Sequence, residues 1–248
     1  MDLSSIVYVL IIIVVLYYFI SWFSATSVSL SKINEAHVAQ IIDNTKTNTK
    51  KTNFAYSIWV NVSSWSGDSD FGREKIIFAK SSTTPALDTN KSFNPNSDTI
   101  LSMSLDKHEN NVKVKVAYQP DTGDAGIQHH TCTVYNVPLQ KWVNLIISFD
   151  TRVLDVYMNG KLVKTCIIEN VPYIGTGDAT YNVHLTPAGG FTGETANFRF
   201  FKNSVNPQEA WEIYKQGFAS GLLSGLLNKY KMKVAFLKDD TEFTSFQI

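Results

Sequence analysis

LQKWVNLIISFDTRVLDVYMNGKLVKT, running from Leu139 to Thr165, decides the fold. It holds three short runs rich in Val, Ile, Leu and aromatic residues: WVNLIISF from Trp142, VLDVYM from Val153 and the start of KLVKTCII from Lys161. Such residues fit a pleated, half-buried surface. Asn159-Gly160 separates the second run from the third, and that pair is the strongest short hairpin signal because both residues accept the positive φ of a tight turn. The segment therefore predicts consecutive antiparallel strands.

Working outward, the period of two recurs. In NFAYSIWVNV, Phe54, Tyr56, Ile58, Val60 and Val62 alternate with smaller or polar residues, as a half-buried strand requires. Further runs follow: EKIIFAK from Glu74, TILSMSL from Thr99, VKVKVAY from Val112, TCTVY from Thr131, YNVHL from Tyr181 and ANFRFF from Ala196. Many short strands divided by turn residues predict an all-β antiparallel sandwich or barrel. Near its end, Asn206-Pro207 opens a short helix with proline in the first turn and Glu209 near its positive end, and Trp211 with Tyr214 gives that helix an apolar side to pack on the sandwich.

Three stretches resemble the laminin-G-like branch of the concanavalin A-like lectin and glucanase superfamily. FAYSIWVNVSSW (Phe54 to Trp65) with KIIFAK is similar to its opening strand pair, Leu139 to Thr165 to its central hairpins, and GETANFRFFKNSVNPQEAWEIYKQG (Gly193 to Gly217) to its closing strand and helix. The resemblance covers about residues 53 to 217 and implies a concanavalin A-like (jelly-roll) β-sandwich with a short C-terminal helix. With an N-terminal anchor, and with PLQKWVNLIIS and LVKTC, the layout also resembles structural membrane proteins of large double-stranded DNA viruses.

The anchor is read from Ile6 to Phe23, IVYVLIIIVVLYYFISWF, inside a stretch from Leu3 to Ser31 without a charged residue. Eighteen residues rise about 27 Å as a helix, close to the hydrocarbon thickness of a bilayer. Tyr17, Tyr18 and Trp22 fall where amphipathic rings favour the headgroup level. A basic n-region is missing and the apolar run exceeds a signal peptide's, so the reading is an uncleaved single-pass transmembrane helix, with the later lysines biasing the domain toward the cytoplasmic side. The expected organisation is anchor and flank over 1–31, a polar stalk over 32–52, and the sandwich over 53–248, closed by a helical or partner-facing GFASGLLSGLLNKY and a terminal hairpin that extends one sheet.

Lysine plus arginine and aspartate plus glutamate balance at 22 each, which disfavours nucleic acid as a partner. Cys132 and Cys166 are spaced wrongly for zinc; a disulfide and two buried free thiols stay equally open. No cofactor or metal is implied. Glycosidases of the superfamily carry an E-x-D-x-E strand, which is absent; Asp150 and Asp155, five apart, are read as facing opposite sides. His129 and His130 beside Cys132 are read as a strand edge, and Asp121 with Asp124 as a hydrophilic turn that falls short of a calcium loop. Trp65 near Asp68 and Asp70 is the candidate sugar platform.

These readings predict a membrane-anchored, non-catalytic interaction or structural module. Its expected partners are the lipid bilayer and other capsid or membrane proteins, with location in a membrane or in a virion's inner membrane or capsid. A carbohydrate-binding lectin is the alternative, and a diverged glycoside hydrolase stands last.

Overall fold

The computed structural model describes residues 11, 14–15, 27–47, 51–65, 71–121, 126–175, 179–218, 233–238 and 241–247. Fifteen strands are present among them: β1 (Ser27–Ser31), β2 (Asn34–Glu35), β3 (Gln40–Ile42), β4 (Phe54–Val62), β5 (Lys75–Ser81), β6 (Thr99–Leu105), β7 (Val112–Tyr118), β8 (Gln128–Val134), β9 (Trp142–Asp150), β10 (Val153–Met158), β11 (Lys161–Ile167), β12 (Asn182–Leu185), β13 (Gly193–Phe201), β14 (Lys233–Lys238) and β15 (Thr241–Gln247). One helix, α1 (Pro207–Lys215), follows β13. Two antiparallel sheets face each other, ordered β1-β13-β4-β9-β10-β11, with β2 also on β13, and β3-β12-β5-β6-β7-β8.

The alternating residues build the space between the sheets. Phe54, Tyr56, Ile58 and Val60 pair across β4 and β9 with Phe149, Ile147, Leu145 and Val143, and all eight are buried. Phe78, Met103, Val114 and Leu185 close that core from the second sheet. Each such side chain contributes about 1.5–3 kcal/mol on burial, so the interdigitated layer dominates stability.

The intervening residues of β4 are buried too, which half-buried alternation does not predict. Ala55, Ile146 and Tyr157 on the outer face lie under Phe201, Val205, Ala210 and Ile213, and Trp59 stacks on Tyr214 at 5.6 Å. The helix therefore packs by Ala210 and Ile213, while Trp211 is 43% exposed. Its start is a capping box: Glu209 N–H donates to Asn206 Oδ1 and Asn206 N–H to Glu209 Oε2, each at 2.9 Å. Beyond α1, Phe218 stacks on Trp142 at 4.6 Å.

The stretch expected as a stalk, residues 32–52, carries β2 and β3, and β1 precedes it. Ile42 pairs with Val183 and is buried, and the Asn182 side chain accepts from Asn44 N–H, so the sandwich takes strands from both ends of its chain. The apolar patch Val38, Ile41 and Ile42 left a short helix or a first strand open in the sequence, and β3 is that strand; a polar composition concealed β2, because edge strands need only one inward residue in two. β14 and β15 pair with each other as a separate two-stranded sheet and do not extend either large one. Ile11, Val14 and Val15 are helical and exposed. The rest of the Ile6–Phe23 stretch, with Tyr17, Tyr18 and Trp22, lies outside the described residues, as do 219–232. Among the described residues no helix is long and apolar enough to cross a membrane.

Candidate functional site

At the end of the sandwich where β4 finishes, two connections are clipped together. Asn110 carbonyl accepts from Val137 N–H at 2.7 Å, Asn110 Nδ2 donates to Val137 carbonyl at 3.0 Å, and Asn136 N–H donates to Asn111 Oδ1 at 3.1 Å. Gln140 N–H binds the Val62 carbonyl at 2.8 Å and ties the second connection back to β4. The β6–β7 turn is fixed further at Asp106. Burial works to raise its carboxyl, but the hydrogen bond from Lys113 and the His108 and Glu109 N–H groups outweigh it and hold the group below the usual carboxylate range.

Between these fixed loops opens a cleft of about 730 Å3, lined by Trp65, by His108 to Asn111, and by Tyr135, Asn136 and Leu139. Tyr135 is 64% exposed, a bare ring at the cleft edge. Asn136, at φ 57°, turns the chain sharply beside it. Trp65 is packed against the core, with Lys75 Nζ 4.2 Å from the ring centre. That contact covers one face of the indole. Phe71, 61% exposed, meets His108 edge-on at 5.8 Å and adds a second open ring nearby. An aromatic face with carboxylate, amide and imidazole groups around it can stack on the C–H face of a sugar and bond its hydroxyls.

Trp65 thus lines the site, while Asp68 and Asp70 lie outside the described residues. Tyr135 was missed in the sequence. Its signal was an aromatic in the run YN that follows β8, a position where an inward-facing core residue has no use.

The other candidates read from the sequence separate. Asp150 pairs with Val153, and Asp155 with Ser148, so both carboxylates stand on the same outer face. The two-residue turn resets the parity that counting along the chain assumed. Each is engaged by a different neighbour: Asp150 accepts from Asn53 Nδ2 at 3.0 Å and Asp155 from Thr165 Oγ1 at 2.5 Å. His129 Nε2 donates to the Thr99 carbonyl at 2.8 Å, and burial pushes its pKa down. Asp121 accepts from Asn170 Nδ2 at 2.8 Å, and Asp124 lies outside the described residues. No group of three or more metal-ligating side chains converges among the described residues.

Cys132 and Cys166 are joined as a disulfide, with Cα atoms 6.1 Å apart. Cys132 points inward from β8 and Cys166 from β11, where it pairs with the buried Leu154. The bond joins an edge of one sheet to an edge of the other.

Compared with known proteins, residues 35–210 match the Laminin_G_3 model, described as concanavalin A-like lectin/glucanases superfamily. No curated protein matches. Among solved structures, the receptor binding domain of the botulinum neurotoxin C/D mosaic serotype is 12% identical, with a TM-score of 0.51 over 77% of this chain and 42% of that one. A second structure of the mosaic domain, with tetraethylene glycol bound on its Hcn sub-domain, is 11% identical, with a TM-score of 0.51 over 74% and 41%. A structure of botulinum neurotoxin type C, whose passage into cells depends upon interaction with two ganglioside molecules, is 10% identical, with a TM-score of 0.50 over 76% and 46%. This chain spans less than half the length of each, and the likeness is one of fold.

Proposed function

The chain belongs to the concanavalin A-like lectin/glucanases superfamily, and from that premise we propose that it is a non-catalytic binding module, held at a bilayer by Ile6–Phe23, whose rim cleft takes a saccharide. The observation that carries the reading is the exposed Tyr135 ring beside Glu109 and Asn136 in a pre-formed cleft of about 730 Å3. Its loops are already hydrogen-bonded to each other, so little ordering would be lost on binding. The ganglioside dependence of neurotoxin type C is a glycan role for a protein of similar fold and supports the reading, though at 10% identity no residue carries over. The absence of an E-x-D-x-E strand and the separate engagements of Asp150 and Asp155 support binding without hydrolysis. Full chain reconstituted in nanodiscs and applied to a glycan array tests the reading: selective signals that Tyr135→Ala abolishes are expected, and a silent array sinks it.

Membrane attachment follows from the charge-free apolar stretch. Full chain should float with liposomes through carbonate washing, and a variant lacking residues 6–23 should not.

A second reading, assembly with other structural proteins of a large DNA virus, is favoured by β11. Leu162, Val163 and Ile167 are 48%, 39% and 69% exposed on an edge strand, a surface suited to adding a strand from a partner protein. Cross-linking from residue 163 in purified particles should then yield one defined neighbour. Particles lacking the chain would remove this reading and leave the saccharide reading standing.

A further inference from the structure

At the end of the sandwich where β4 begins, the inter-sheet core holds a charged group. Lys80 lies on β5 opposite Leu101, is 7% exposed, and donates to the Thr47 carbonyl at 2.9 Å. No carboxylate among the described residues acts on it; burial alone lowers its pKa, to about 8, which leaves it mainly protonated at neutral pH. The hydroxyl of Tyr56, 1% exposed, faces the Thr47 side chain, itself fully buried. The two hydroxyls are close enough to act on each other, and beyond that contact neither Tyr56 Oη nor Thr47 Oγ1 has a hydrogen-bond partner among the described residues. Of these groups Lys80 and Tyr56 line a small pocket of about 20 Å3, walled also by Ile100, Leu101, Val116, Pro172 and Tyr173.

A buried hydroxyl without a partner costs about 1–3 kcal/mol, and an uncompensated ammonium costs more. A water molecule would satisfy the Tyr56 hydroxyl but leave the positive charge unbalanced in a mostly apolar chamber. An anion answers both. The space is about that of one water, too small for phosphate, sulfate or a carboxylate with a tail. We propose that this pocket is a binding site for a small inorganic anion of chloride size, held by the Lys80 ammonium and the Tyr56 hydroxyl. The anion then locks Thr47, which ends the 3-10 turn Asn44–Lys46 after β3, onto β5. Its role is to fix the N-terminal strands to the second sheet, a function separate from the rim cleft at the other end.

The test is thermal unfolding of the full chain in detergent micelles at neutral pH, with sodium chloride replaced stepwise by sodium gluconate at constant ionic strength. Chloride should raise the midpoint by about 2–5 °C, saturably. Lys80→Met should lose that increment. An equal increment in the variant, or none in the parent, overturns the proposal. Where Lys80→Met does not fold, Tyr56→Phe keeps the ring packing and removes one donor. It should raise the chloride concentration for half effect about 3- to 10-fold, and an unchanged value overturns the site equally.

Discussion

Cys132 on β8 and Cys166 on β11 join the last strand of one sheet to the last strand of the other, their Cα atoms 6.1 Å apart. The bond closes the side of the sandwich on which neither edge strand has a hydrogen-bonded neighbour beyond it among the described residues. It also restricts the unfolded chain through a separation of 34 residues. On the chain-entropy estimate that loop is worth about 3–4 kcal/mol. Cys132→Ser with Cys166→Ser should lower the unfolding midpoint by about 6–15 °C, and reductant should do the same to the parent. Non-reducing peptide maps should show the Cys132–Cys166 link; alkylation of both thiols without reductant would remove it.

Gly160 supports the helix by having no side chain. At φ +75° it completes the Asn159-Gly160 turn, and a Cβ there would stand 2.9 Å from Trp211 Cε3 and 3.1 Å from Trp211 Cα. Gly160→Ala combines a strained φ with a clash that includes backbone, and should cost about 1–3 kcal/mol by chemical denaturation. Asn206→Ala, which removes the cap at the other side of α1, should cost about 1 kcal/mol. Trp211→Ala should recover part of the Gly160→Ala loss and none of the Asn206→Ala loss, and a cycle without that coupling would contradict the packing.

The hairpin at Asn159-Gly160 and the capped helix were legible because turn and cap chemistry is local. The core face of β4 was legible because alternation survives whatever covers the other side. That a helix packs on the sandwich was legible too, but not which strands it covers: Ala55, Ile146 and Tyr157 lie under a helix that follows β13, and nothing near them in the chain announces it. β1 and β2 were hidden for a similar reason, since their pairing partner β13 lies more than a hundred residues away. At the cleft, Trp65 drew attention as a tryptophan, yet the open ring is Tyr135, brought beside it by clips between Asn110 and Val137. Exposure depends on tertiary neighbours, and sequence spacing does not encode it.

Buried ionisable groups give the stability curve a sign that can be worked out. Lys80 has a folded pKa of about 8, below its unfolded value, so between about pH 8 and 10 the unfolded state binds more protons and stability rises with pH. Tyr157 and Tyr181 are raised to about 12, chiefly by burial, so above about pH 10 the unfolded state has released protons that the folded state retains and stability falls. In gluconate, without a small anion, full chain should therefore be most stable near about pH 10. Lys80→Met should flatten the rising limb and leave the falling one. Chloride should flatten it too, by stabilising the protonated ammonium below pH 8. Midpoints measured across pH 7–11 check each limb separately.

The two aromatic residues of the cleft should separate binding from folding. Tyr135 is exposed and stands on a loop fixed by backbone hydrogen bonds of its neighbours, so Tyr135→Ala should leave the unfolding midpoint within about 1 °C. Loss of one stacking ring should weaken a saccharide about 10- to 100-fold, because such contacts carry much of the affinity in shallow sugar sites. Trp65 behaves in the opposite way. Its ring packs on the core and covers Lys75, a fully buried lysine, so Trp65→Ala opens a cavity over a charged group and should lower stability by about 2–4 kcal/mol. Glycan affinity measured by calorimetry beside the midpoint of each variant distinguishes the roles. If Trp65→Ala lost binding at unchanged stability while Tyr135→Ala bound normally, the indole would be the platform and the cleft would have to be read from its other wall.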